Sequence, residues 1–313
     1  MISRDVFRQV VVGAAVLALF LAVPLLGFDE YWIYILTIGF YYAILASSWS
    51  LLVGYVGRIS FAHVAMSGLG AYTSVLASGK FGLPLVFSIP LAGLVTGLVG
   101  LAIGRLCLRL HGAYLALTTI AFSEIVRITI TAEHEVTRGS LGLSAVGLFE
   151  TTERIPYYYS FLALLLVCLL IMWLVLRSRI GLFFAAIRED EDAAASLGVK
   201  VVRWKIFAFT FSSVIAGIAG GFYAHFVQLV APSMMSIQEM GFVLSMAVVG
   251  GFQNIFYAAL GGVFLEILLE VLREIGQWRM TLFAVVVILI LRFAPNGLFG
   301  ELLRMAFQRR SRK

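Results

Sequence analysis

The chain is short of charge, cysteine, histidine and proline: 13% of its 313 residues are charged, and it holds two cysteines, four histidines and six prolines. A soluble globular domain is about one-quarter charged, so this scarcity excludes an ordinary water-facing fold. Cys107 and Cys168 both lie in or beside apolar blocks, which implies no disulfide framework. Cys107 and His111 form a solitary i, i+4 pair with no further ligands at metal spacing, so no metal site is expected. The chain also lacks a Gly-x-x-x-x-Gly-Lys-Ser/Thr loop, the phosphate cradle of an ATPase. No nucleophile, base and orienting group stand together, so neither catalytic residues nor a cofactor are expected.

What the chain has is apolar length. Hydrophobic residues make up 61% of it, with a mean hydropathy of +1.00. They recur in ten blocks at 10–28, 31–53, 61–79, 84–104, 113–131, 157–176, 206–230, 238–251, 256–272 and 278–294. Blocks of this kind match bilayer-spanning helices, and they predict an all-α polytopic membrane protein of about ten spans. The first block is long and lacks a small-residue cleavage site, so it reads as an uncleaved span. The short or Gly-rich blocks 61–79 and 238–251 are candidates for broken or re-entrant segments, which are tolerated where protein or a water-filled cavity satisfies the backbone. Gly68, Gly70, Gly93, Gly97, Gly100 and Gly104 form small-residue stripes whose expected role is close helix packing.

The net charge of +6 gathers at the block ends, which points to topology and lipid headgroups rather than to nucleic acid. With the N-terminus inside, 17 lysines and arginines fall on the cytoplasmic side and five on the other, which places both termini in the cytoplasm. The whole chain, 1–313, then reads as a single transmembrane domain with a cytoplasmic loop at 177–205 and an external loop at 132–156. The external loop is turn-rich and flexible by composition around TRGSLGLSAVG.

The cytoplasmic loop is the polar exception, carrying ten of the forty charged residues. Leu182, Phe183, Ala186 and Ile187 are spaced to share one side of a short helix. Asp190 suits an N-cap for a second helix over Glu191–Leu197, and Gly198 suits a left-handed ending with Val199 as its apolar contact. An amphipathic linker on lipid headgroups is one reading of this pair. Against it stand the four consecutive acidic residues Glu189, Asp190, Glu191 and Asp192, which an anionic leaflet repels and a basic protein groove attracts.

The run Ala186-Ile187-Arg188-Glu189-Asp190-Glu191 is followed by Leu197-Gly198-Val199, Lys205 and Ala216-Gly217-Ile218-Ala219-Gly220-Gly221. With Gly54-Tyr55-Val56-Gly57, Ser60 and His63 upstream, and Arg292-Phe293-Ala294-Pro295-Asn296-Gly297-Leu298 at the end, the chain resembles the M-type permeases of branched-chain amino-acid ABC importers. The resemblance covers nearly the whole chain, although that family commonly has Gln where Arg58 stands and Gly where Ala62 stands. It implies a subunit of the bacterial inner membrane, paired with a second, H-type permease. It also implies two cytoplasmic ATP-binding subunits and a periplasmic substrate-binding protein. Under it, Arg188, Glu189, Asp190 and Glu191 would contact the ATPase groove, while Phe183, Ile187 and Leu197 pack the coupling helices and Gly198 ends the second one.

Ionisable residues inside the apolar blocks are the remaining candidates, because charge at membrane depth usually faces a bundle interior or a cavity. Glu124 and Arg127 share a helix face, as a structural ion pair or as a pathway lining. Glu266 suits a subunit interface, and Glu270 with Arg273 suits a pair at a span end. His63 reads more readily as a packing residue than as a ligand. The competing reading is a stand-alone secondary transporter or channel that uses Glu124, Glu266 and His63 as proton or ion sites.

Overall fold

The computed structural model describes residues 4–107, 112–149, 151 and 153–302. The side chains of Arg4, Arg8 and Cys107, and residues Arg109, His111, Glu150 and the basic residues after 302, lie outside the described residues. The chain runs α1 (Arg4–Ala22), α2 (Glu30–Ser50), α3 (His63–Phe81), α4 (Leu85–Cys107), α5 (Ala113–Ala132), α6 (His134–Thr137) and α7 (Ile155–Arg177). It continues through α8 (Arg179–Glu189), α9 (Glu191–Ser196), α10 (Val201–Val227), α11 (Ile237–Gly250), α12 (Ile255–Val271) and α13 (Arg279–Phe293). Two short strands, β1 (Leu143–Ser144) and β2 (Leu229–Val230), pair antiparallel with Leu143 opposite Val230.

Each of the ten apolar blocks falls on a helix, but among the described residues six helical runs are long and apolar enough to cross a membrane. They are Glu30–Tyr55, Leu85–Leu106, Ala113–Ala132, Ile155–Arg177, Val201–Val227 and Ile255–Phe293. The last has 39 residues, about 58 Å as one straight helix and about twice a bilayer core. Gly276, at φ 66 and ψ −123, breaks it between α12 and α13. Helix α11 has 14 residues, about 21 Å of rise against a core of about 30 Å, so it is a half-length helix. The block 61–79 differs from its expectation, because α3 runs unbroken over 19 residues. The interruption precedes it, where α2 loosens into a π-helical turn at Leu51–Tyr55 and Gly57 turns the chain at φ 74.

Helix α2 is the most enclosed of the six, packed by α12, α7, α10 and α11, while α10 packs on α3 and α4. Lipid is as apolar as a leucine side chain, so helices join there through close packing of small residues. Gly70 of α3 meets the Gly217 backbone of α10, and Gly93, Gly97 and Gly100 of α4 admit Ile218, Val214 and Ser213. These stripes are packing seams. At Gly70 a Cβ would run into the Gly217 carbonyl, which is backbone and cannot rotate away. Gly70→Val is therefore expected to destabilise the chain by about 1–3 kcal/mol, read as a lower melting temperature in detergent; unchanged melting would refute the contact.

The loop at 132–156 is turn-rich as its composition suggests, but its centre is anchored rather than loose. Beyond the β1–β2 pairing, Nδ1 of the buried His225 lies 2.7 Å from the Val146 carbonyl oxygen and its Nε2 lies 2.9 Å from Ser74 Oγ. The loop is thereby held to α10 and α3 together.

Candidate functional site

The two short helices at 177–205 form where the sequence places them, and local rules explain their ends. The Asp190 backbone leaves the helical region at φ −156, ψ 116, and its Oδ1 accepts from the N–H groups of Asp192 at 2.9 Å and Ala193 at 3.0 Å. That caps α9 and sets the elbow. At the other end Gly198 takes φ 85, Val199 N–H donates to Ala194 O at 3.1 Å, and Gly198 N–H donates to Ala195 O at 2.9 Å. These are the paired bonds of a Schellman ending.

The faces of these helices differ from expectation. Phe184 and Ile187 are the buried residues of α8, and Phe183 stacks on Trp204 of α10 with ring centroids 4.9 Å apart. Leu182 is 72% exposed, so the packed arc runs through Phe184 rather than Leu182, because α8 lies against α10 and the end of α2. Leu197, expected to pack, is 85% exposed; only Ala194 of α9 is buried. Leu197, Gly198, Val199, Lys200, Arg203, Trp204 and Phe183 instead wall an open cleft of about 240 Å³.

The four polar residues divide. Glu189 and Asp190 are exposed to solvent. Arg188 is exposed as well, but its guanidinium reaches back to donate to the Gly54 carbonyl in the π-helical turn. Glu191 turns inward, pairing with Arg58 and, at 2.5 Å, with Lys205 Nζ. Arg58 and Lys205 are 8% and 2% exposed, and cations so enclosed need a carboxylate beside them. Burial pushes the Arg58 guanidinium down from its ordinary value, and Glu191 supplies the opposing charge. The turn that Arg188 holds also touches the turn between α11 and α12. Ser50 Oγ donates to Phe252 O at 2.7 Å, and Gly54 backs onto the same carbonyl.

Within the membrane region, Arg127 Nε donates to Glu124 Oε2 at 3.0 Å, with the Glu124 and Arg127 side chains 42% and 32% exposed. Glu124 borders a cavity of about 190 Å³ walled by Phe61, Val64, Ile120, Ser123, Met235, Ser236, Ile237 and Met240. His63 is 3% exposed, and neither ring nitrogen has a well-directed hydrogen bond, the Ser48 backbone being the near polar group. Glu266 is half-buried, without a hydrogen bond or ion pair among the described residues, and feels the charge of Glu239. Glu239, which sequence reading passed over, receives a 2.7 Å hydrogen bond from Tyr42. Its signal was the Ser236-x-x-Glu239 spacing of a helix start, with Ser236 Oγ accepting from Glu239 N–H at 3.3 Å. Glu270 and Arg273 pair at 3.1 Å beside Tyr31, as a span-end pair should.

Residues 31–294 match the family described as branched-chain amino acid transport system / permease component. The LivM permease protein of the high-affinity branched-chain amino acid transport system of Salmonella typhimurium is 32% identical over 84% of this chain and 69% of its own length. The LivM protein of Escherichia coli is 31% identical over the same shares, and the LivH permease protein of Escherichia coli is 25% identical over 85% of this chain and 93% of its own. No solved structure matches the chain.

Proposed function

The chain belongs to the family of permease components of branched-chain amino-acid transport systems, and from that premise we propose that it moves branched-chain or related amino acids inward as one membrane subunit of an ATP-driven importer. It is a transport subunit rather than an enzyme. Energy enters through α8 and α9 from two separate ATP-binding subunits, a second H-type permease completes the pathway, and a periplasmic binding protein delivers the solute. The bundle is a multi-pass inner-membrane domain whose ten apolar segments cross or enter the bilayer, with both termini cytoplasmic as the 17-to-five distribution of basic residues favours.

One observation carries this reading: the capped elbow at Asp190 shows Glu189 and Asp190 to solvent, while its flanks are fastened to the bundle. Arg188 grips the turn after α2, and Glu191 joins Arg58 before α3 to Lys205 at the foot of α10. A push on the elbow therefore reaches two membrane elements at once, as rigid-body rocking requires. His63, Glu124, Arg127 and Glu266 are the candidate pathway or interface residues.

Reconstitution tests it. The chain with its second permease and the ATP-binding subunits should take up leucine from the loaded binding protein only when ATP is supplied. Uptake by the chain alone, driven by an ion gradient, would favour a stand-alone transporter instead.

A further inference from the structure

Glu124 sits at the middle of α5, 11 residues from Ala113 and eight from Ala132. At 1.5 Å per residue that is roughly 12–16 Å from either end of the span, which is the centre of a bilayer. Yet its side chain is 42% exposed and that of Arg127 32%. A charged pair held open at that depth is not left facing lipid; it faces a cavity or another protein. Here a cavity is present. Glu124 is on its edge, while Phe61, Val64, Ile120, Ile237 and Met240 make the rest apolar. The wall is fixed in place: Phe61 N–H donates to Thr119 Oγ1 at 3.0 Å, and Ser123 Oγ donates to Phe61 O at 2.9 Å, both tying the segment before α3 to α5. Those bonds also occupy the Ser123 hydroxyl, and the other hydroxyl of the lining, Ser236, caps α11 through Glu239 N–H. The space thus suits a side chain without polar atoms.

Resting on the permease reading, we infer that the groove between α5, the start of α3 and the start of α11 is half of a binding site for a zwitterionic aliphatic amino acid within the membrane. The aliphatic side chain enters the apolar cavity, the ammonium meets Glu124, and the carboxylate meets Arg127 one turn along α5. The ion pair already present is the electrostatic complement of a zwitterion, one charge for each end. At about 190 Å³ the cavity is smaller than the 300–1,000 Å³ of a complete small-molecule pocket. The open side is the wall that the second permease supplies.

The test uses the whole reconstituted importer with saturating leucine-loaded binding protein. The charge swap Glu124→Arg/Arg127→Glu keeps an ion pair but moves each charge by one turn. A purely structural pair tolerates it; a binding pair does not. The swap is expected to lower leucine uptake at least tenfold, while assembly and ATP hydrolysis stimulated by the binding protein stay within about twofold of wild type. Ile237→Trp, which fills the cavity without touching a charge, is expected to do the same, and decides the matter if the swap fails to assemble. Wild-type leucine uptake in the assembled swap, or in Ile237→Trp, would overturn the half-site. Absence of ATP-driven uptake by the wild-type complex would instead overturn the permease reading on which the half-site rests, and the half-site with it.

Discussion

Replacing Glu191 by alanine is expected to be the most damaging single change at the α8–α9 end of the bundle. Glu191 neutralises two enclosed cations, Arg58 and Lys205, which are 8% and 2% exposed. Truncating it leaves like charges facing each other with little water to screen them. Removing one partner from a buried ion pair destabilises by about 3–5 kcal/mol, a large fraction of the about 5–15 kcal/mol that holds a typical domain. Melting in detergent should fall, and ATP-driven uptake should fall at least tenfold in whatever protein still inserts. The network makes a sharper claim than the single change. Adding Arg58→Gln to Glu191→Ala removes the stranded charge next to Lys205, so the double variant should be more stable than Glu191→Ala alone. A non-additive cycle of that sign reports direct coupling between the two sites. If Glu191→Ala melts with the wild type, the cluster is solvated and the fastening of α9 to the bundle is not electrostatic.

The parts of this architecture that could be read from the sequence are those set by neighbours along the chain. Asp190 and Gly198 end their helices through bonds spanning no more than five residues, so residue type and spacing sufficed. The apolar blocks were legible because a span is a matter of length and composition. What failed was set by distant elements. Which face of the short α8 is buried depends on Trp204 and the end of α2, so spacing that groups Leu182 with Phe183 and Ile187 does not reveal that Leu182 lies outside, and Leu197, expected to pack, is exposed too. Glu191 was assigned to a partner because Arg58 lies 133 positions away in sequence, and only folding brings it near. Glu239 stayed hidden at the edge of an apolar block, where a carboxylate resembles the start of a loop. The half-length of α11, by contrast, shows in its short block, 238–251, and the break at Gly276 falls in the gap between blocks 256–272 and 278–294, because length and a polar interruption are both local signals. The Glu124–Arg127 pair was legible from spacing alone, whereas the cavity beside it needed residues from three helices.

Reversing the charge at the elbow, Glu189→Lys with Asp190→Lys, is expected to uncouple transport from ATP hydrolysis without blocking membrane insertion. Both residues are exposed, and neither packs against the bundle. Their charge is therefore free to be felt by a partner, and a basic groove that attracts the wild-type elbow would repel the reversed one. Position 190 carries a second role, since its Oδ1 caps α9 through two N–H groups, and losing that cap costs about 1 kcal/mol. Asp190→Asn separates the two roles, because asparagine caps as well as aspartate but carries no charge. The asparagine variant should melt as the wild type and show a partial loss of uptake. The double reversal should lower uptake per ATP hydrolysed at least tenfold, with assembly weakened. Ionic strength supplies the independent check, because contacts between exposed charges are screened over about 8–10 Å at 0.1–0.15 M salt. Raising salt should loosen the wild-type complex and leave the reversed one unchanged or tighter. Wild-type coupling in the double reversal, or assembly insensitive to salt in the wild type, would mean that the elbow meets its partner through the apolar cleft at Leu197 and Phe183 instead.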